Sequence, residues 1–336
     1  MTLKHFFAAF ALVAFATTSV SAQTLKVVKE HGDLACGVSE GLPGFSEKDD
    51  KGQWSGLDVD LCRALAAAIF NDVTKVRYVP LSAENRFEAL RSKTIDVLIR
   101  NSTWTLGRET EGVIWAAVNY YDGQGFMVRR ALNIDSALEL ADKSVCTKSG
   151  TTTELNLADY FRNNHLTYKV MTFATGDETS TAYESGRCDS LTSDVSQLYA
   201  QRTKLATPRD HIILPDIISK EPLGPVVRQD DFQWLNIVKW TQFAMVNAEE
   251  LGINRNNVDE AMKSQKPDVQ RLLGIEGNFG EQLGLTKDWA ARILRLVGNY
   301  GETYERNVGT GSKLGIPRGL NQLWNRGGIQ YAPPIR

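Results

Sequence analysis

The sequence predicts an α/β protein of two lobes, each a mostly parallel sheet flanked by helices, joined by two hinge crossings. Three observations carry that expectation. Strand-like and helix-like stretches alternate in two successive series, an order that builds parallel sheets with right-handed crossovers. Two patterns occur twice in the same order: Cys-x-x-Ser at Cys36–Ser39 and Cys146–Ser149, and Ala-x-x-Ser-x-x-x-Asp-x-Leu at Ala89–Leu98 and Ala182–Leu191. An internal duplication accounts for both. The length, about 314 residues once an N-terminal leader is set aside, suits two domains or one large one.

The leader comes first. Lys4 and His5 precede the apolar run Phe6–Phe15, and Val20-Ser21-Ala22 places small residues where a signal peptidase reads them. Residues 1–22 are therefore expected to be removed between Ala22 and Gln23. The apolar run is about half of what a bilayer span needs, which argues against a retained anchor. The mature chain is expected to be exported, periplasmic and soluble.

Strand Leu34–Val38 opens the first series, followed by the loop Gly41-Leu42-Pro43-Gly44 and a polar, hairpin-like segment over 47–53. The helix expected at Leu57–Phe70 carries Leu61, Cys62, Leu65, Ala68 and Ile69 at helical spacing, which turns Cys62 inward. Strand Val76–Pro80, helix Glu84–Ser92 and strand Ile95–Ile99 complete the series. Strand Gly125–Val128 leads into the second: strand Val145–Thr147, helix Glu154–Asn163, strand Tyr168–Phe173, helix Thr179–Ser185 and strand Asp189–Thr192. Crossings are expected at Asp122-Gly123-Gln124 and within Ser219–Gly224, giving one lobe of 23–122 and 221–336 and a second of 123–220. The tail beyond Gly274 contains a helix-like segment, Thr286–Val297, then a Gly-rich stretch, and its role is not legible.

Basic and acidic residues nearly balance, 38 against 40, with no basic tract or zinc-finger spacing, so nucleic acid is not an expected partner. No metal or cofactor is expected. Four cysteines in an exported chain allow two disulfides in three connectivities, or four buried thiols. If the two halves are separate lobes, Cys36–Cys62 and Cys146–Cys188 keep each bond within one lobe.

Open α/β sheets bind ligands beyond the carboxyl ends of their strands, so both lobes should present loops to a shared cleft. Arg108 follows one apolar strand and Asp194 another. A guanidinium and a carboxylate suit the carboxylate and ammonium of an α-amino acid, and the planar guanidinium grips a carboxylate in a way lysine cannot. Asp194 read alone could equally be a helix cap or turn residue. Thr151 and Thr152 stand where a helix begins and can aim donors at an anion, or serve as an N-cap only. Asn101 and Thr103 lie in a polar loop, where Thr103 would add a hydroxyl and an amide. Trp104 in that loop is expected to line the cleft wall. Arg100 could reach an acidic ligand side chain or pair at the sheet edge, and Leu42 and Phe45 could face the ligand or the core.

At this point the chain resembles the extracytoplasmic solute-binding proteins of ABC importers, in the polar amino acid group. Ile95–Ile99 followed by Asn101-Ser102-Thr103-Trp104-Thr105-Leu106-Gly107-Arg108 is similar to that family's strand, Ser/Thr loop and carboxylate-binding arginine. Gly56-Leu57-Asp58 resembles its Gly-Phe-Asp, Ser149-Gly150-Thr151-Thr152-Thr153-Glu154 its Gly-Thr-Thr loop, and Asp194 its ammonium-binding carboxylate. Trp54–Asp60, Arg100–Trp104, Tyr120–Phe126, Asn299-Tyr300-Gly301-Glu302 and Leu323-Trp324 resemble, more narrowly, the general L-amino acid-binding proteins of proteobacterial importers. The resemblance implies the two-lobed periplasmic-binding-protein fold, an L-amino acid ligand with Glu, Gln, Asp and Asn leading, a monomer, and an ABC permease with a cytoplasmic ATPase as partner. It also brings a rival, because exported dehydratases acting on prephenate or arogenate share the fold. The chain lacks a Gly-x-Ser-x-Gly elbow or His-Glu-x-x-His, and Glu154 is the one carboxylate positioned to be tested as an acid or base.

Overall fold

A computed structural model describes residues 24–336, and the expected leader with its cleavage point lies outside them. Two five-stranded sheets form the lobes. The first has the order Val76–Leu81, Leu34–Ser39, Val97–Leu98, Val226–Arg228, Val113–Trp115, and the second the order Lys169–Phe173, Ser144–Lys148, Ser190–Asp194, Gln124–Arg129, His211–Ile213. In each sheet the first three strands run parallel and the fourth runs antiparallel to the third. The two lobes thus share one strand order, and the sequence echo is a structural repeat. In each, the fourth strand is the segment that has just crossed from the other lobe. The crossings themselves, Tyr120–Asp122 and Glu221–Leu223, pair antiparallel as a two-stranded hinge.

The repeated cysteines serve equivalent places. Cys36 on a central strand bonds Cys62 on helix Leu57–Phe70, and Cys146 on the corresponding strand bonds Cys188, with Cα–Cα separations of 6.2 Å and 5.6 Å. All four are fully buried. Replacing Cys146 and Cys188 together by alanine should cost about 2–4 kcal/mol of stability. The midpoint of urea unfolding reads this, and a variant as stable as the parent would mean that the bond is not formed.

Local chemistry explains where the elements depart from expectation. The strand expected at Ile95–Ile99 is only Val97–Leu98, and just before it the Asp96 carboxylate accepts from the Ala35 N–H at 2.8 Å. The helix in the second lobe begins at Gly176, three residues early, since Thr175 and Glu178 form a reciprocal capping box. An unexpected helix, Thr24–His31, docks on the first lobe through its Thr24 N–H on Asp231 Oδ2 at 2.7 Å.

The tail is structured. Helices Trp289–Leu296 and Tyr300–Asn307 pack on helices Leu57–Phe70 and Phe232–Glu250. Arg318 meets Glu249 in a buried two-pronged ion pair. Asn321 reaches the hinge itself, accepting from Tyr121 N at 2.7 Å and donating to Tyr121 O at 3.0 Å, while the Tyr300 hydroxyl donates to Asn119 O at 2.9 Å. The extension therefore braces the outward crossing against the first lobe.

Candidate functional site

Between the lobes lies a small chamber of about 30 Å³, lined by Arg86, Arg100, Asn101 and Thr103 from the first lobe and by Lys148, Thr151 to Thr153 and Asp194 from the second. Each is placed by backbone geometry. Asn101 sits at φ 30°, a left-handed conformation, and its N–H donates to Asp58 Oδ2 at 3.2 Å, which ties the loop to the start of helix Leu57–Phe70. Thr103 bridges to Leu223 of the hinge. Its hydroxyl donates to Glu221 Oε2, the atom that also accepts from Thr152 Oγ1 at 3.1 Å, while Asn156 donates to Glu221 Oε1 at 2.7 Å. Glu221, on the return crossing, thus gathers hydroxyls from both lobes. Nothing in the sequence marked it, since an acid before a proline reads as a surface turn.

Asp194 ends a strand and precedes helix Val195–Arg202, yet its side chain makes no capping bond. The Ser196 N–H goes instead to the Asp122 carboxylate, at 3.3 Å and 3.4 Å. Asp122 does the capping and leaves Asp194 to the cleft. There, among the described residues, the Asp194 carboxylate accepts only from the Gln197 amide, at 2.7 Å, and the residue is 3% exposed. Burial raises its pKa well above the usual carboxylate range, and Asp122 and Glu221 add repulsion. A cation arriving beside it would relieve that cost.

The opposite wall is cationic. Arg86 is 3% exposed and its Nε has no hydrogen-bond partner among the described residues. Burial, then repulsion from Arg100 and Arg108, pulls its pKa well down. Arg100 donates from Nε to Leu81 O at 2.8 Å, and burial lowers it to about 10. Lys148 falls to about 7 through burial and then the repulsion of Arg100 and Arg86. Arg86 and Lys148 were not singled out from sequence.

The other residues lie around this centre. Arg108 is half-buried, donates from Nη1 to Thr103 O at 2.8 Å, and stands in the field of Glu221 and Asp194. It sits over the Phe87 ring and is not among the chamber-lining residues. Neither is Trp104, which stacks parallel on Trp115 with centroids 6.5 Å apart and remains 39% exposed. Thr151 caps helix Thr152–Asn163, accepting from Glu154 N and donating to Lys148 O at 2.7 Å. Thr152 keeps its hydroxyl in the cleft. Leu42 lines an adjoining side chamber, whereas Phe45 packs edge-on to Tyr120 in the core.

Several of these carboxyls carry a pH signature. Burial pushes Asp58 and Asp122 up to about 7, and raises Asp96 and Asp194 as well. Between about pH 4 and pH 7 the native state then holds more protons than the unfolded chain, so stability of the ligand-free protein falls as pH rises through that window. A fully shifted carboxyl contributes a slope of about 1.4 kcal/mol per pH unit. His211 and, near the top of the window, Lys148 are held low mainly by burial and act in the opposite sense, two groups against four. Ligand-free protein should melt higher at pH 5 than at pH 7. A lower Tm at pH 5 would show that the cleft carboxylates are solvated.

Known proteins resemble this chain over nearly its whole length. Over 329 residues the chain is 56% identical to the general L-amino acid-binding periplasmic protein AapJ of Rhizobium johnstonii, covering 97% of this chain and 96% of that one. Over 338 residues it is 49% identical to the glutamate/glutamine/aspartate/asparagine-binding protein BztA of Rhodobacter capsulatus, with 100% of each chain covered. A solved ABC transporter/periplasmic binding protein from Brucella ovis with glutathione bound superposes with a TM-score of 0.93 at 55% identity, covering 94% of this chain and 100% of that one. Residues 34–257 match bacterial extracellular solute-binding proteins, family 3, and the chain belongs to that family.

Proposed function

We propose that this chain is the substrate-binding component of an ABC importer, which captures L-amino acids between its lobes and delivers them to the membrane permease and its cytoplasmic ATPase. The observation that carries the reading is the unmet charge of the interlobe chamber. Asp194 faces it from one lobe and Arg86 from the other, both buried and neither neutralised by a protein partner at hydrogen-bond distance. A zwitterion that brings an ammonium to Asp194 and a carboxylate to the arginine side holds the lobes together, and a second anionic group, where the ligand carries one, meets Arg86. Arg108, beside Glu221 and Asp194, takes the α-carboxylate, and Asn101, Thr103 and Thr152 add polar contacts. Trp104 shields the approach. The names of the relatives support Glu, Gln, Asp and Asn as ligands, and the γ-glutamyl end of glutathione presents the same α-carbon groups as glutamate. The protein acts as a periplasmic monomer, processed after Ala22.

The dehydratase alternative is not favoured by these relatives. Glu154, its one candidate acid or base, accepts from the Gly150 N–H at 3.3 Å at the helix start and is not among the chamber-lining residues. Calorimetry of the mature protein against the twenty L-amino acids should give micromolar or tighter binding of Glu, Gln, Asp and Asn, with D-enantiomers far weaker. Inverting the α-carbon cannot keep ammonium, carboxylate and side chain in place together. Solution scattering should report a smaller radius of gyration with ligand. Turnover of prephenate or arogenate, lost on Glu154→Gln, would overturn the receptor reading.

A further inference from the structure

A second chamber opens off the first. It measures about 170 Å³, several times the inner one, and shares with it Lys148, Gln197 and Gln201. Its walls are the loop Ser39–Pro43 of the first lobe and, from the second, Thr175 to Asp177 with Lys204. Lys204 joins the two walls, since its Nζ donates to Gly41 O at 3.0 Å and to Asp177 Oδ1 at 3.0 Å. A cavity of roughly 150 Å³ holds a six-membered carbon ring. By that measure the side chamber has room for about six heavy atoms of a ligand that reaches out of the inner chamber.

The junction between the chambers is chemically particular. Gln201 is 8% exposed and its Oε1 is buried with no hydrogen-bond donor among the described residues. The Lys148 ammonium, on the same passage, has no hydrogen-bond or ion-pair partner among the described residues, although its backbone carbonyl accepts from Thr151. One group wants a donated N–H and the other offers N–H to an acceptor. A carboxylate supplies only the acceptor. An amide supplies both, and a secondary amide continues past its nitrogen into the side chamber.

We propose that the side chamber is a subsite for the residue attached to a γ-glutamyl amide, so that the ligands include γ-glutamyl peptides. The proposal rests on the amino-acid reading above. The ligand's α-ammonium and α-carboxylate occupy the inner chamber, its γ-carbonyl meets Lys148, its amide N–H meets Gln201 Oε1, and the next residue fills the space beside Gly176 and Leu42. An α-linked peptide cannot do this, because its bond consumes the α-carboxylate.

Gly176 provides the test, since it lines only the side chamber. It opens a helix at an ordinary φ, and a Cβ there meets nothing closer than the Gln201 amide nitrogen at 3.3 Å. Calorimetry should be run with L-glutamate, γ-glutamylglycine, glutathione and, as a control, α-glutamylglycine. Wild type should bind both γ-linked peptides within about tenfold of glutamate and bind the α-linked peptide at least a hundredfold more weakly than glutamate. Gly176→Leu fills the chamber, and should weaken the γ-linked peptides at least tenfold while glutamate moves less than threefold. Gln201→Leu should shift the ratio of peptide to glutamate affinity the same way, which keeps the test available if Gly176→Leu does not fold. Glutamate binding without peptide binding would overturn the subsite and leave the receptor reading intact, as would equal losses for both ligands. Failure of glutamate and every other L-amino acid to bind would sink the receptor reading itself.

Discussion

Replacing Asp194 by alanine should weaken L-glutamate binding a hundredfold to several thousandfold while the ligand-free protein melts no lower than the parent at pH 7. The two effects have one cause. Asp194 is buried at the end of a strand, capped to nothing, and its ionised form is opposed by burial and by Asp122 and Glu221. Without ligand it therefore costs stability, and removing it relieves strain. If the ligand brings its ammonium to Asp194, breaking such a buried pair costs about 3–5 kcal/mol, which corresponds to that loss of affinity. The pairing also has a pH sign. Because the carboxyl must be ionised to hold the ammonium, and its pKa is raised well above the usual carboxylate range when the cleft is empty, affinity should fall as pH is lowered. Asp194→Ala should lose that dependence. Binding within threefold of wild type would reduce Asp194 to a structural acid.

Much of the fold was legible because it rests on short-range patterns. The order of strands and helices, the repeated Cys-x-x-Ser strands and the inward turn of Cys62 follow from periodicity and spacing, and the structure has the two disulfides and the repeated sheet order. The site was legible where a residue sits at a strand end, as Asp194 does. It was hidden where direction depends on the other lobe. Arg86 begins the helix Arg86–Arg91, where a charged residue reads as solvated, and only the second lobe's Lys148 and threonines turn that position into a chamber wall. Glu221 and Asp122 were hidden for a related reason. Each acts across the hinge, Glu221 on Thr103 and Thr152 and Asp122 on Ser196, and no local pattern records a partner about 70 to 120 residues away. The tail was opaque because its side chains work singly, as Asn321 does on Tyr121.

Separating the arginines gives the other large effect. Arg108 follows the strand end but faces the Thr103 carbonyl, whereas Arg86 lines the chamber with an unpartnered Nε. If Arg108 takes the α-carboxylate, every amino-acid ligand needs it, and Arg108→Ala should weaken Glu, Asp, Gln and Asn alike by a hundredfold or more. Arg86 then serves the second anionic group that only Glu and Asp carry, assisted by Lys148. Arg86→Met should cost those two ligands about a hundredfold and the amides Gln and Asn less than tenfold. It should also raise the ligand-free Tm, since a buried guanidinium without an acceptor is removed and an unbranched apolar chain takes its place. Calorimetry with the four ligands against both variants decides the matter. Equal losses for all four ligands in Arg86→Met, with Arg108→Ala near wild type, would make Arg86 the carboxylate clamp and leave Arg108 as a brace for the Thr103 loop.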